Sequence, residues 1–298
     1  MKRRPIDALV YLDTNIYNAL IKEENFASLQ DIARAVVERR IRIFFSITNL
    51  EELMGIYTSC PDKTTKVFKL TREICMSHRA PQAPPLQLIL AEFNHLGDST
   101  VRINLYSNKA KFIDWFLERW EVLANNPNIE GQKILRINEE IKEENIRTKD
   151  GFKEAKEKMS THIKEGVFTA KTPEDFINQM LSGNAYINDF IKEFLENKVN
   201  NPRITVDMVR ENWSKMRGFY QYYWYSILGI VYAHNFAAGK PPDRGDQRDI
   251  HHAIYASYSD IFVSNDEPFR KYLKYVPGNK HSCFNLDEFV QYLKTSVD

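Results

Sequence analysis

"ALVYLDTNIYNAL", residues 8–20, passes from an apolar run into helical spacing through a single carboxylate, Asp13. Ala8 to Leu12 reads as a short buried strand, and Ile16, Leu20 and Ile21 then fall on one helix face. The unit is strand, acid, helix. It returns at once: "ARAVVERRI" (33–41) reads as an amphipathic helix, "RIFFSI" (42–47) as a second strand, and "TNLEELMGIY" (48–57) as the opening of a second helix. Strands alternating with helices predict a parallel sheet.

From Pro61 the character changes. Helical patterns follow one another with no convincing strand until after Pro202, and the joints are punctuated by "APQAPP" (80–85), "NNPN" (125–128), "KDG" (149–151) and "NNPR" (200–203). Thr172 followed by Pro173 and two acids is a helix start. The mixed charges of "KILRINEEIKEENIRTKDGFKEAKEKM" (133–159) read as solvated helix faces with i,i+4 pairs. Residues 205–239 read as one long helix stopped at Gly239. In it Trp213, Met216, Tyr220, Tyr223 or Trp224, Ile227 and Val231 form a buried stripe, while Tyr222 and Tyr225 lie off the stripe as candidate ligand contacts. The last segment restores the first pattern, with "DQRDIHHAIYASY" (246–258) as helix, "SDIFVSN" (259–265) as strand, "DEPFRKYLKYV" (266–276) as helix, an apolar stretch near Cys283, and a closing helix from Asn285. The expected fold class is α/β: residues 1–60 and 203–298 make one parallel βα sheet domain, and 61–202 is a large all-helical insertion.

The whole chain of 298 residues, 43% hydrophobic and 27% charged, has the composition of a soluble globular protein. A formal net charge of +1 excludes neither nucleic acid nor small molecules, because binding depends on how charge is distributed. Cys60, Cys75 and Cys283 are widely spaced and lack Cys-x-x-Cys pairing, which argues for a reducing compartment and against a thiolate-bound zinc. The opening "MKRRPIDALVYLD" has only a short apolar run broken by Asp7, and no stretch approaches a membrane span. The expected location is the cytoplasm, with no membrane partner.

Asp13, Asp249 and Asp266 each have a plain reading as helix caps or first-turn acids. Together they ask for more. Asp13 and Asp266 both sit just beyond strand ends, where open α/β sheets bind ligands. In "TNLEEL", Thr48 and Glu51 offer a capping box, which leaves Glu52 without a structural task. Asp246 can cap its helix and free Asp249, with His252 one turn on. Adjacent histidines point to different faces, so His252 is assigned to the acids and His251 to packing or surface. Acids gathered in one cleft need a compensating cation, and oxygen donors without thiolates point to Mg²⁺ or Mn²⁺. A divalent ion among acids implies phosphate chemistry.

"YLDTNIY", "SITNLEEL" and "DQRDIHHAIYASYSDIFVSNDEPFRKYL" resemble the three signature blocks of PIN-domain nucleases. The resemblance implies metal-binding acids at Asp13, Glu52, Asp249 and Asp266, with Thr14 or Asn15 orienting the first, and His252 and Asp246 secondary. It implies a PIN-like sheet and a metal-dependent ribonuclease, acting as an endonuclease by attack of an activated water. Glu51 is a rival for Glu52, and Asp260 for Asp266. The helical insertion has no counterpart in the blocks, and could gate the cleft, extend the substrate surface or dock a protein partner. A toxin held by an antitoxin, a homo-oligomer and DNA as substrate stay open. So does a PIN-like fold kept as a binding or assembly module. A phosphatase of the haloacid dehalogenase type would need a second Asp where Asn15 stands.

Overall fold

β1 (Ala8–Leu12) is the strand on which the sheet is built: it pairs in parallel with β2 (Ile41–Phe44) on one side and β3 (Ile261–Val263) on the other. β4 (Ser282–Phe284) adds to β3, giving a four-stranded all-parallel sheet of order β2-β1-β3-β4. Val10, Tyr11 and Leu12 have no exposed surface. A parallel strand covered on both faces reads as a continuous apolar run, which is why these residues form it. Each such large side chain contributes roughly 1.5–3 kcal/mol by burial. The computed structural model describes residues 8–57, 59–75, 83–100, 127–182, 184–199, 201–213, 216, 218–236, 245–274 and 281–295.

Helices α1 (Thr14–Leu20), α2 (Phe26–Val37) and α3 (Ile47–Tyr57) connect and follow the first two strands. α4 (Pro61–Ile74), α5 (Pro85–Gly97), α6 (Pro127–Lys164), α7 (Pro173–Ser182), α8 (Asn184–Phe194) and α9 (Val206–Glu211) form the helical stretch. α10 (Phe219–Asn235) leads into α11 (Asp246–Ala256), and α12 (Glu267–Lys274) and α13 (Leu286–Thr295) complete the chain. Among the described residues no strand falls between 61 and 202, and no helix is long and apolar enough to cross a membrane. One contiguous core joins sheet residues such as Val10 and Phe262 to Phe93 and Phe176 of the helical stretch. α4 lies against α1, α2 and α3, and α10 packs on α5, α6, α7, α11 and α12.

Several local expectations need correction. The long helix of 205–239 is two helices: α9 ends at Glu211 and α10 begins after Gly218, whose φ of 104° is a left-handed conformation that suits glycine. The stop at Gly239 lies outside the described residues. α10 has no side chain to cap it at Gly218, and the buried Glu92 of α5 takes over: its Oε1 accepts the Gly218 amide at 2.7 Å and its Oε2 the Tyr220 amide at 2.9 Å. Tyr222 and Tyr225 are buried, because α10 is enclosed by neighbours on several sides, and the Tyr222 hydroxyl pairs with His281 Nδ1 at 2.9 Å. They are core residues rather than ligand contacts. "KDG" at 149–151 is no joint, since α6 runs straight through it. Thr172 does cap α7, accepting the Asp175 amide at 3.0 Å. The three cysteines are free.

What matters for function is where the strand order turns. The chain leaves β1 for β2 on one side and, after the helical stretch, re-enters at β3 on the other. The connections diverge there, at the carboxyl ends of β1 and β3, the place where open α/β sheets have their ligand crevice.

Candidate metal centre

Asp13 is the first residue beyond β1, and its amide bonds the carbonyl of Val263 at the end of β3 at 2.9 Å. It occupies the N-cap position of α1, yet its side chain makes no capping bond. Asp13 Oδ2 instead accepts from Ser264 Oγ and from Asn15 Nδ2, both at 2.6 Å. Asn15 Oδ1 accepts the Asn265 amide at 3.0 Å, tying the start of α1 to the end of β3. The cap reading fails for Asp13 because its carboxylate is turned into the crevice.

Glu52 arrives from α3, although the capping box that frees it differs from the expected one. The helix opens at Ile47, one residue before Thr48, so Ser46 is the N-cap. Ser46 Oγ accepts the Asn49 amide at 3.2 Å, and Asn49 Oδ1 accepts the Ser46 amide at 3.0 Å, the reciprocal pattern of a capping box. Glu51 pairs with Arg248 at 2.6 Å and leaves the crevice to Glu52. Glu52 Oε2 accepts from the Thr14 hydroxyl and lies 2.9 Å from His252 Nε2.

His252 comes from α11, is almost fully buried, and stands between the two acids, with Nε2 also 3.5 Å from Asp13 Oδ1. Its other nitrogen, Nδ1, lies 2.6 Å from the hydroxyl of Tyr11. One ligand atom from each of Asp13, Glu52 and His252 lies within 4.8 Å of the others, a grouping that could hold a metal ion. The donor set of two carboxylates and an imidazole fits a divalent cation. Fixed partners behind each donor are what metal ligands have.

Asp249 and Asp266 stand alongside rather than inside this group. Both line a small pocket with Asp246, His234, Pro268 and Phe269. Asp266 keeps its cap role, its Oδ1 accepting the Phe269 amide at 2.9 Å at the start of α12. Asp246 does not cap α11, where Gly245 holds the cap position; it pairs with the buried His234 at 2.9 Å. Asp260, the rival of Asp266, is at the other end of β3, holding the Leu9 amide at 2.7 Å.

The charges are strongly coupled. Burial, with the negative charge of Glu52 added, raises the Asp13 carboxyl against the pull of His252 and the bonds from Ser264 and Asn15. Burial alone would raise Glu52, but His252, Thr14 and Arg248 bring it below the usual carboxylate range. Asp249 is pushed well up by burial and then by the charges of Asp13 and Asp266. Burial works against the charged form of His252, yet the two acids lift it to about 9. Neighbouring His251 goes the other way, to about 3, through burial and the charges of Arg248 and His252.

Of the residues singled out in the sequence, the structure brings Asp13, Glu52, Thr14, Asn15 and His252 together. Sequence reading missed Tyr11, Ser46, Asn49, Ser264, His234 and Arg248. Two signals were present: Ser-x-x-Asn at 46–49 directly after a strand is a capping-box spacing, and a Tyr inside a fully buried strand needs a partner for its hydroxyl. No family model, no curated protein and no solved structure matches the chain.

Proposed function

We propose that this chain is a metal-dependent phosphodiesterase that hydrolyses RNA, built on a PIN-like sheet. The observation that supports it most is the convergence of Asp13, Glu52 and His252 within 4.8 Å at the switch point of a parallel sheet. The three come from the two ends of the chain, and Asp13, though at a cap position, makes no capping bond. Asp249, which feels the charges of Asp13 and Asp266, lines a small pocket with Asp266 beside them.

Asp13 and Glu52 would hold Mg²⁺ or Mn²⁺, with Asp249 and Asp266 at its flank. When bound, such an ion supplies a water of lowered pKa and stabilises charge on phosphoryl oxygens. The chain's own part is orientation. Ser264 and Asn15 fix one oxygen of Asp13, so that its other oxygen faces the centre, and Thr14 fixes Glu52. A strand end and helices carry these groups, and rigid elements are what precise positioning of a reacting phosphate needs.

The test is cleavage of labelled single-stranded RNA and DNA with Mg²⁺ or Mn²⁺, in wild type, Asp13→Asn and Asp249→Asn. RNA cutting that needs the metal and falls at least about 100-fold in each variant supports the reading. Cutting that survives both substitutions overturns it. DNA cutting alone changes the substrate and keeps the mechanism, whereas metal binding without cutting of either favours a binding module.

A further inference from the structure

The hydrogens of the network behind the crevice can be placed one at a time, starting from backbone groups whose roles are fixed. The Ser46 amide donates to one terminal atom of Asn49, which is therefore its carbonyl oxygen, and the Asn49 Nδ2 amide donates to the Leu12 carbonyl at 3.1 Å. Both ends of Asn49 are thus assigned without appeal to the site. Ser46 Oγ receives the Asn49 backbone amide and stands 2.9 Å from Asn49 Oδ1, an acceptor, so the serine hydrogen points there. The Tyr11 hydroxyl, 2.7 Å from Ser46 Oγ, must then donate to it. Its oxygen is left to accept, and the partner 2.6 Å away is His252 Nδ1. Nδ1 therefore carries the hydrogen. The reverse polarity would set the bare acceptors Ser46 Oγ and Asn49 Oδ1 against each other in a fully buried place.

The other end of Asn49 acts on the other ligand. Nδ2 also donates to Thr14 Oγ1 at 3.0 Å, so the threonine hydrogen is directed to Glu52 Oε2. One buried amide thus sets the hydrogen-bond polarity at two neighbours of the crevice, the imidazole through Ser46 and Tyr11 and the carboxylate through Thr14.

From this geometry we propose that His252 is itself a metal ligand through Nε2, held by the Asn49–Ser46–Tyr11 chain in the one tautomer that can coordinate, and that the mixed nitrogen and oxygen site prefers Mn²⁺ over Mg²⁺. The inference rests on the reading of the crevice as a metal centre and adds the donor that decides which metal. A ligating histidine characteristically donates its other ring hydrogen to a fixed partner, and here Tyr11 is that partner. Mg²⁺ keeps to oxygen donors and gives up its waters reluctantly, whereas imidazole suits first-row transition ions. Asn49, Ser46 and Tyr11 are positioning residues and His252 is the ligand.

The experiment is binding of Mn²⁺ and of Mg²⁺ to the full chain by calorimetry, together with pulsed EPR of the Mn²⁺-loaded protein. Expected in wild type are binding of Mn²⁺ roughly tenfold or more tighter than Mg²⁺ and nuclear modulation from a directly bound histidine nitrogen. His252→Asn, which offers an oxygen instead, should abolish the nitrogen modulation and collapse the preference. Tyr11→Phe should weaken Mn²⁺ by about 10-fold or more. If Mn²⁺ binds in wild type with no nitrogen modulation, or if His252→Asn leaves the preference intact, the proposal fails and the metal centre stands. If neither ion binds, the metal centre itself fails. The wild-type spectrum decides the ligand question even where a variant does not fold.

Discussion

The Tyr11 hydroxyl and Nδ1 of His252 lie 2.6 Å apart although 241 residues separate them in the chain. Tyr11 belongs to an interior strand and His252 to α11, so the contact joins the two ends of the sequence between the sheet and a helix. Burial drives the Tyr11 pKa well above its ordinary value and keeps the hydroxyl neutral.

Asn49 is the centre of that network, which makes Asn49→Asp an informative change of one group. A carboxylate has the same shape but no hydrogen to give, so the Leu12 carbonyl and Thr14 lose their donor while a buried charge appears. The expected loss of stability is about 2–4 kcal/mol, read as a lower denaturant midpoint at unchanged slope. Equal stability of the variant and wild type would show that the amide does not set the network.

Glu92 gives a second test, remote from the crevice. It supplies both capping acceptors for α10, whose own cap residue Gly218 has no side chain. Glu92→Gln keeps one acceptor and turns a donor toward the other amide. A cost of about 1–3 kcal/mol follows, measured by chemical denaturation, and Glu92→Leu should cost more. Gly218→Ala should lose about 1–2 kcal/mol through its backbone conformation. Steric crowding is a minor part there, because an added Cβ would meet the Tyr222 ring no closer than 3.5 Å.

The frame of the molecule was legible because its signals are local. The apolar run at 8–12 and the acid after it, the helix starts at Thr172 and Asp266, and the return of strand and helix after 245 all follow from neighbouring residues. Glu52 stands out in the sequence as an acid left over from a capping box of Thr48 and Glu51, but the box is Ser46 with Asn49 and the helix begins earlier. The centre itself was only half legible. His252 read as a neighbour of Asp249 because the two are one turn apart on a helix, whereas folding sets it between Asp13 and Glu52. Ser264 bonds Asp13 across 251 positions, and no periodicity reports a partner so far away.

Asp260 separates placement from charge. It lies close to Asp266 in sequence but at the opposite end of β3, where it holds the Leu9 amide at 2.7 Å and its own amide bonds the Leu9 carbonyl at 2.8 Å. Asp260→Asn keeps an acceptor there and leaves the crevice untouched. Metal affinity and cleavage should stay within about twofold of wild type, while Asp13→Asn loses both. Equal loss in the two variants would place the working carboxylates at the wrong end of the sheet.

His281 predicts a dependence of stability on acid that is separable from the metal centre. It is buried just before β4 beside the Tyr222 hydroxyl, and burial depresses its pKa from the ordinary imidazole range to about 4. Above about pH 6.5 the imidazole is neutral in both the folded and unfolded chain and contributes no pH dependence. As pH falls below that, the unfolded chain takes up a proton that the folded one refuses, so stability declines until the folded group also titrates near pH 4. Between pH 7 and pH 5 the loss from this group is about 2 kcal/mol. His251, depressed to about 3, acts in the same direction, so the comparison has to be between proteins that both retain it. Urea unfolding of wild type and His281→Gln at the two pH values should show a smaller acid loss in the variant by about that amount. Parallel losses in the two proteins would mean that His281 is protonated as readily in the fold as out of it.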